Sequence, residues 1–182
     1  MKGIIFNLAE EVVVRDHGDD VWDAVLEDAG LSGSYTSLGS YPDADFMAIV
    51  CSAARLLGVD EAFVLRHVAE GAIPLLAQRY PHFFTPHHDA LAFVLTLNDI
   101  VHPEVRKLYA GADVPNFAYD VHSAHALTFS YTSHRRLCAL AEGFIAGAAT
   151  HYGQRVVIEQ PACMLRGDEA CLLHCEFSSA AA

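Results

Sequence analysis

The sequence predicts an α+β fold, in which an N-terminal helical part is followed by a C-terminal part with an antiparallel sheet and helices. Apolar residues recur with helical spacing up to about residue 111. After Pro115 the pattern changes to the alternation that is typical of strands. The chain has 182 residues, 53% of them hydrophobic, so it is long and apolar enough for one domain with a sizeable core.

The helical part contains five predicted helices before residue 100. Each has an apolar stripe, and most begin at an Asp or Thr cap or end at a Gly. They cover residues 3–15, 19–29, 43–57, a segment capped by Asp60 with a kink at Pro74, and a segment that begins at Thr85 and Pro86. Residues 31–42 are rich in Gly and Ser and predict a loop.

A short helix over residues 103–109 is predicted next, because Pro103 is well tolerated in a first helical turn. Val105, Leu108 and Tyr109 would face a buried group. His102 stands just before this helix. A neutral imidazole there could be an axial ligand of iron, and the alternative is an ordinary core histidine.

The C-terminal part predicts two hairpins and one helix. The predicted strands cover residues 117–121 and 126–133 around a turn at 123–125, and residues 155–163 and 170–177 across a turn at 165–169. The helix covers residues 136–151.

Alternation over residues 127–135 places one set of side chains on a single strand face. The members of the set are Leu127, Phe129, Tyr131, Ser133 and Arg135. This face begins as an apolar wall and ends in three hydrogen-bond donors, including a guanidinium that suits a carboxylate or phosphate. The ligand that it favours has an apolar body and an acidic edge, and haem is such a ligand.

These residues together resemble the haem nitric oxide/oxygen-binding (H-NOX) family, the sensor module related to soluble guanylate cyclase. Its signature is a proximal histidine, a proline a dozen or so residues later, and the motif Tyr-x-Ser-x-Arg. Those positions are His102, Pro115, Tyr131, Ser133 and Arg135. The opening residues 1–7 also look like the start of the family, and the resemblance covers essentially the whole chain.

The resemblance implies that haem b lies between two parts of a single H-NOX domain, a distal helical subdomain over about residues 1–60 and a proximal subdomain over about 61–182. His102 would ligate the iron and Pro115 would press on the macrocycle. Tyr131, Ser133 and Arg135 would bind the propionates.

The resemblance also bears on which gas is bound. Family members that hold O2 use a distal tyrosine, which lies shortly after the Arg of the signature. Residues 137–149 contain no Tyr, Trp or His, which predicts an apolar pocket that leaves bound O2 unstabilised. The predicted pocket residues are Ile4, Ile5, Leu8 and Leu140. Each could equally be an ordinary core residue.

We therefore expect a non-enzymatic nitric oxide sensor that excludes O2. In this family, NO breaks the bond between the proximal histidine and the iron. This chain contains no kinase or cyclase of its own, so a separate histidine kinase or diguanylate cyclase would receive the signal.

Four cysteines suggest a second site. Cys138, Cys163, Cys171 and Cys175 could form a tetrahedral zinc site. No Cys-x-x-Cys motif occurs among them, so scattered core thiols are the alternative. Some H-NOX proteins hold a structural zinc through cysteines, and this resemblance favours the site.

Charge and composition exclude several classes. The net charge of −12 disfavours nucleic acid and anionic membranes as partners, and no signal peptide or membrane helix is evident, which predicts a cytoplasmic protein. Two alternatives stay open. One is a metal- or Cys-dependent enzyme on an anionic substrate, against which no nucleophile elbow, phosphate loop or zinc-protease motif is found. The other is a zinc-stabilised binding module without haem.

Overall fold

The computed structural model of the chain describes residues 1–180 and confirms the α+β class. Within those residues it contains eight α-helices and one four-stranded sheet. The helices are α1 (Gly3–His17), α2 (Asp19–Ala29), α3 (Asp43–Leu57), α4 (Glu61–Arg79), α5 (Pro81–Phe84), α6 (Ala90–Leu95), α7 (His102–Leu108) and α8 (Cys138–His151). The strands are β1 (Asn116–Ser123), β2 (Ala126–Thr132), β3 (Gln154–Ala162) and β4 (Cys171–Ser179). A π-helical turn, Leu97–Val101, leads into α7, and a 3₁₀ turn, Met164–Arg166, lies between β3 and β4.

The sheet is antiparallel with the order β1-β2-β4-β3, so both predicted hairpins are present. One hairpin turns at residues 124–125, and the other crosses from β3 to β4 through the 3₁₀ turn. Leu127, Phe129 and Tyr131 alternate into the core from β2, as the sequence predicts. Helix α8 covers this face of the sheet.

Helices α4 and α8 pack closely along their length, and two glycines of α8 make this possible. A Cβ atom added to Gly143 would lie 2.3 Å from the Arg66 carbonyl oxygen, and one added to Gly147 would lie 2.7 Å from the Glu70 carbonyl oxygen. Any side chain at either position would therefore force the two helix backbones apart.

The described residues form two large hydrophobic cores and one smaller cluster around Tyr109. The first lies among α1 to α4 and includes Phe6 and Phe46, and the second lies between α8 and the sheet. Helix α4 belongs to both, since Val68 packs in the first core and Ile73 in the second. It also continues through Pro74 without ending. The division into subdomains near residue 60 therefore stays a proposal.

The predicted helix start at Thr85 and Pro86 is wrong. Thr85 instead follows α5, where its backbone N–H donates to the Pro81 carbonyl. The next helix, α6, begins at Ala90, and the Asp89 carboxylate caps it by accepting from the Ala92 N–H at 2.7 Å. A carboxylate is at least as good a cap as a hydroxyl, so the later residue sets the start.

Strand β2 ends earlier than predicted, at Thr132, so Ser133 and Arg135 do not continue its face. The chain turns there: the Arg136 N–H donates to the Ser133 carbonyl, and Arg136 has a positive φ of 53°. In residues 1–180 we find no helix that is both long enough and apolar enough to span a bilayer.

Candidate functional site

A cavity of about 360 Å³ lies where α1, α4, α7 and α8 meet the sheet, and its wall is mainly apolar. This size is within the range of small-molecule and cofactor sites. All nine residues predicted to contact a cofactor lie in its wall: Ile4, Ile5, Leu8, His102, Pro115, Tyr131, Ser133, Arg135 and Leu140. The fold therefore brings together positions from both ends of the chain.

His102 is the first residue of α7 and follows the π-helical turn. That turn is fixed to β1, because the Asn98 side-chain amide donates to the Phe117 carbonyl at 2.6 Å. The His102 ring lies 5.0 Å from the Phe117 ring, and its buried Nδ1 atom has no hydrogen-bond partner among residues 1–180. Burial, together with the charge of Arg106, lowers the pKa of His102 to about 4. The imidazole is therefore neutral near pH 7 and has a lone pair for a metal.

Tyr131 and Ser133 hold the end of β2 in shape. The Tyr131 hydroxyl accepts a hydrogen bond from the Leu137 N–H at 3.0 Å, and burial raises the pKa of Tyr131. The Ser133 hydroxyl accepts from the Arg135 N–H at 3.3 Å. These bonds stabilise the turn that directs Arg135 to the cavity, although Arg135 has left the strand.

The Arg135 guanidinium is only 13% exposed and binds two acidic residues. Its Nε donates to the Asp43 carboxylate at 2.8 Å, and one terminal nitrogen donates to the Asp113 carbonyl at 2.7 Å. The Met1 amine also binds Asp43. Burial alone would raise the pKa of Asp43, but the bonds from Met1 and Arg135 lower it overall. These contacts join the N-terminus, α3 and the segment before β1 at the cavity mouth.

Sequence reasoning missed a pair of tyrosines in the cavity wall. The hydroxyls of Tyr80 and Tyr109 are 2.6 Å apart and hydrogen-bonded. Burial raises the pKa of Tyr109, and the bond to Tyr80 raises it further. The helical pattern does predict that Tyr109 faces a buried group. Its pairing with Tyr80 has no local signal, because the two residues are far apart in sequence.

Three of the four predicted zinc ligands form a buried cluster. The Sγ atom of Cys163 lies 3.7 Å from that of Cys138 and 3.8 Å from that of Cys171. Burial raises the pKa of Cys171 to about 12. Burial would also raise the pKa of Cys163, but the Leu165 N–H and the two neighbouring thiols lower it overall.

Cys175 is a correction to the predicted site, because the structure does not bring it to the cluster. It shares a face of β4 with Cys171, but four strand residues separate Cα atoms by about 13 Å. Its thiol instead donates to the Leu173 carbonyl. In residues 1–180, the trio Cys138, Cys163 and Cys171 is the one group of three or more such side chains with ligand atoms close enough to hold a metal.

The family model described as haem-NO-binding matches residues 2–160. This chain belongs to the haem-NO-binding family. It is similar to an H-NOX protein from Shewanella oneidensis, solved in its Fe(II)NO state, with 32% identity and a TM-score of 0.91. That match covers 98% of this chain and 100% of the other.

Two more distant structures share the fold. An unliganded Fe(II) H-NOX protein from K. algicida is 23% identical with a TM-score of 0.87, over 98% of this chain and 97% of that one. An oxygen-binding H-NOX domain related to soluble guanylate cyclases is 21% identical with a TM-score of 0.81, over 100% and 98%. Among curated protein sequences, none matches this chain.

Membership of the family decides between the classes left open by the sequence. H-NOX domains bind haem and are gas sensors rather than enzymes. The cavity fits such a group, because its apolar wall includes a neutral imidazole and a guanidinium lies at its mouth. The chain is therefore an H-NOX haem-binding sensor domain, and the enzyme and haem-free alternatives are set aside.

Proposed function

We propose that this H-NOX domain senses nitric oxide through haem b and excludes O2. His102 would ligate the iron, Pro115 would pack on the macrocycle, and Tyr131, Ser133 and Arg135 would hold the propionates. The observation that carries the proposal is the His102 imidazole, which lies in the apolar cavity wall and is neutral near pH 7, so that it has a lone pair for a metal.

Selectivity for NO would come from the wall of the cavity. Ile4, Ile5, Leu8 and Leu140 are apolar and offer no hydrogen bond to a bound gas. Bound O2 carries partial negative charge and needs a donor, whereas NO binds ferrous iron tightly without one. The hydroxyls of Tyr80 and Tyr109 share one hydrogen bond, so one of them keeps an O–H that is free to donate, and the spectrum in air described below tests whether it reaches a bound gas.

Signalling would begin at His102. Haem, when bound, supplies the ferrous iron to which NO binds. His102 would be released from that iron on NO binding, and α7 could then shift against Pro115 and change how residues 1–60 sit on residues 61–182. Because a ligand acts only through differential contacts with two states, a partner must distinguish these two positions. We propose a separately encoded cytoplasmic histidine kinase or diguanylate cyclase as that partner.

The absorption spectrum of the purified, reduced protein tests this function, first under nitrogen, then in air and then with NO. We expect a five-coordinate ferrous spectrum that air leaves unchanged and that NO converts to a form without the histidine. A stable O2 complex would contradict the selectivity, and Tyr80→Phe would then show whether the tyrosine pair supplies a donor. A colourless protein that takes up no added haem would contradict the function itself.

We also propose that the three clustered cysteines hold a structural zinc ion. Three thiolates provide all but one ligand of a tetrahedral site and leave the fourth position for another donor. The lowered pKa of Cys163 favours the thiolate that a metal needs. Metal analysis should find about one zinc per chain. Cys163→Ser should abolish this content, whereas the matched control Cys175→Ser should keep it. Equal zinc loss in both variants would contradict the three-cysteine site.

A further inference from the structure

Helix α7 carries His102 but has few attachments of its own. Within the described chain, none of its seven residues is fully buried, and it packs mainly against the π-helical turn before it. The next residue, Tyr109, is the buried one, with 6% of its surface exposed. Tyr109 is therefore the point at which the end of this helix is anchored.

The anchor joins three elements. The Tyr109 ring packs in a hydrophobic cluster with Ile4 and Leu8 of α1 and Ala72 of α4. Its hydroxyl bonds to that of Tyr80, the residue that follows α4 and whose backbone N–H donates to the Leu76 carbonyl at 2.8 Å. The hydroxyl pair is thus a direct polar link between the end of α7 and the end of α4.

His102 depends on its helix for orientation. Metal-ligating histidines are usually held by a hydrogen bond from the second ring nitrogen. Among the described residues, the buried Nδ1 of His102 has no partner for such a bond. Tyr109 lies seven residues further on, about two helical turns along the same face. The helix is therefore held at two points, by the Asn98 bond before its first residue and by the tyrosine pair after its last.

We propose that the hydrogen bond between Tyr80 and Tyr109 is a latch that positions His102, by holding α7 against α4 and so slowing the release of the histidine from iron. This inference rests on the proposed function, because it describes how readily the sensing bond breaks. Tyr80 and Tyr109 are positioning residues: they act on His102 through the helix.

The test compares Tyr80→Phe, Tyr109→Phe and the double variant with the wild type. Each substitution removes one hydroxyl and keeps the ring, so the packing with Ile4 and Leu8 is preserved. The matched control is Tyr152→Phe, which deletes a different tyrosine hydrogen bond, from the Tyr152 hydroxyl to the Phe84 carbonyl at 2.8 Å. Two quantities are measured: the rate at which the NO complex loses its histidine, by stopped-flow absorption, and amide hydrogen exchange over residues 102–109 in haem-free protein.

We expect histidine release to be about three- to tenfold faster in both single variants, the range that one net hydrogen bond provides. The double variant should match the singles, because either substitution breaks the same bond. Exchange over residues 102–109 should also be faster, and Tyr152→Phe should change neither quantity. Wild-type release rates in the variants, additive single effects, or an equal effect of Tyr152→Phe would overturn the proposal.

Failure of the proposed haem-based sensing and failure of the tyrosine latch give different results. If the wild type takes up no haem, sensing by this domain is contradicted while the exchange measurement still decides whether the tyrosine pair holds α7. If exchange changes but histidine release does not, the pair holds the helix without positioning His102, and the latch is overturned.

Discussion

The two ends of the cavity satisfy their polar groups in opposite ways. At the inner end, His102 lies among apolar side chains and its Nδ1 has no partner. At the rim, which we define as Asp43, Asp113, Ser133 and Arg135, the guanidinium binds carboxylate and carbonyl oxygens of two acidic residues. The inner end is therefore unsatisfied in the protein alone, whereas the rim is satisfied by contacts between distant segments.

This difference assigns different roles to the two ends: the inner end is suited to bind a ligand, and the rim is suited to stabilise the fold. An unpaired buried imidazole destabilises the fold and is available to a ligand, which is typical of a functional group. A paired and mostly buried guanidinium stabilises the arrangement of the segments around it. We infer that the inner end supplies the ligand of the iron and that the rim holds the segments that position Arg135 for the propionates.

The largest effect should come from the inner end. His102→Gly removes the imidazole that would ligate the iron, and we expect haem content to fall almost to zero and to be restored by added imidazole. Haem per chain in the purified protein measures this. His125→Ala, at an exposed hairpin turn, is the control and should keep wild-type content. A His102→Gly variant with wild-type haem content and spectrum would refute the ligand assignment.

The free energy of unfolding of haem-free protein should depend on pH because of His102. Burial lowers the pKa of His102 from 6.5 to about 4 in the folded state. The unfolded chain therefore binds a proton first, and the contribution of this group to stability is present above pH 6.5 and is lost as the pH falls toward 4. The loss should be about 3 kcal/mol.

Urea unfolding at several pH values measures this loss, and His102→Leu should flatten the slope between pH 6.5 and about 4. An unchanged slope in His102→Leu would assign the acid sensitivity to other groups. Acid effects from Asp43 belong to lower pH, because its pKa is lowered and its contribution is lost only below the ordinary carboxyl range.

At the rim, Arg135→Ala should destabilise haem-free protein by about 2 kcal/mol, because it leaves Asp43 and Asp113 without their shared cation. Haem loading should also weaken. Urea unfolding and haem titration measure the two effects, and Arg155→Ala, an exposed arginine of β3, is the control. A wild-type free energy of unfolding in Arg135→Ala would show that the Arg135 contacts do not hold the N-terminus, α3 and the segment before β1 together.

The smallest effect should come from His134, which lies beside Arg135. Its ring nitrogens lie 3.5 Å from Asp43 and 3.4 Å from Asp113, but its side chain is 67% exposed. Solvent screens such a pair, so His134→Ala should change the free energy of unfolding by less than about 1 kcal/mol. A loss as large as that of Arg135→Ala would mean that the exposed His134 stabilises the rim as strongly as the buried Arg135 guanidinium does.

Local patterns predicted most of the secondary structure. The stripe over residues 3–15, the Gly after Ala29 and the alternation through Leu127, Phe129 and Tyr131 all correspond to observed elements. These features depend on neighbours within a few residues, where spacing alone decides which side chains share a face. The positions of both hairpins along the chain followed from the same local signals.

The candidate site was predicted in part. All nine predicted cofactor residues lie in the cavity wall, because the resemblance to H-NOX supplied positions that spacing alone could not connect. The structure brings together Cys138, Cys163 and Cys171 and leaves Cys175 apart from them, so zinc binding by the trio stays a prediction. A shared strand face does not imply proximity, since each pair of residues adds about 6.7 Å along the strand.

The sequence by itself determined the α+β class, the hairpins and the types of side chain that the cavity would need. Only the tertiary structure decided where β2 ends, which acidic residues bind Arg135 and which hydroxyl pairs with Tyr109. The reason is distance along the chain: Arg135 and Asp43 are 92 residues apart, and Tyr80 and Tyr109 are 29 apart. Such pairs exist only after α3, α4 and α7 have packed, and no local pattern encodes them.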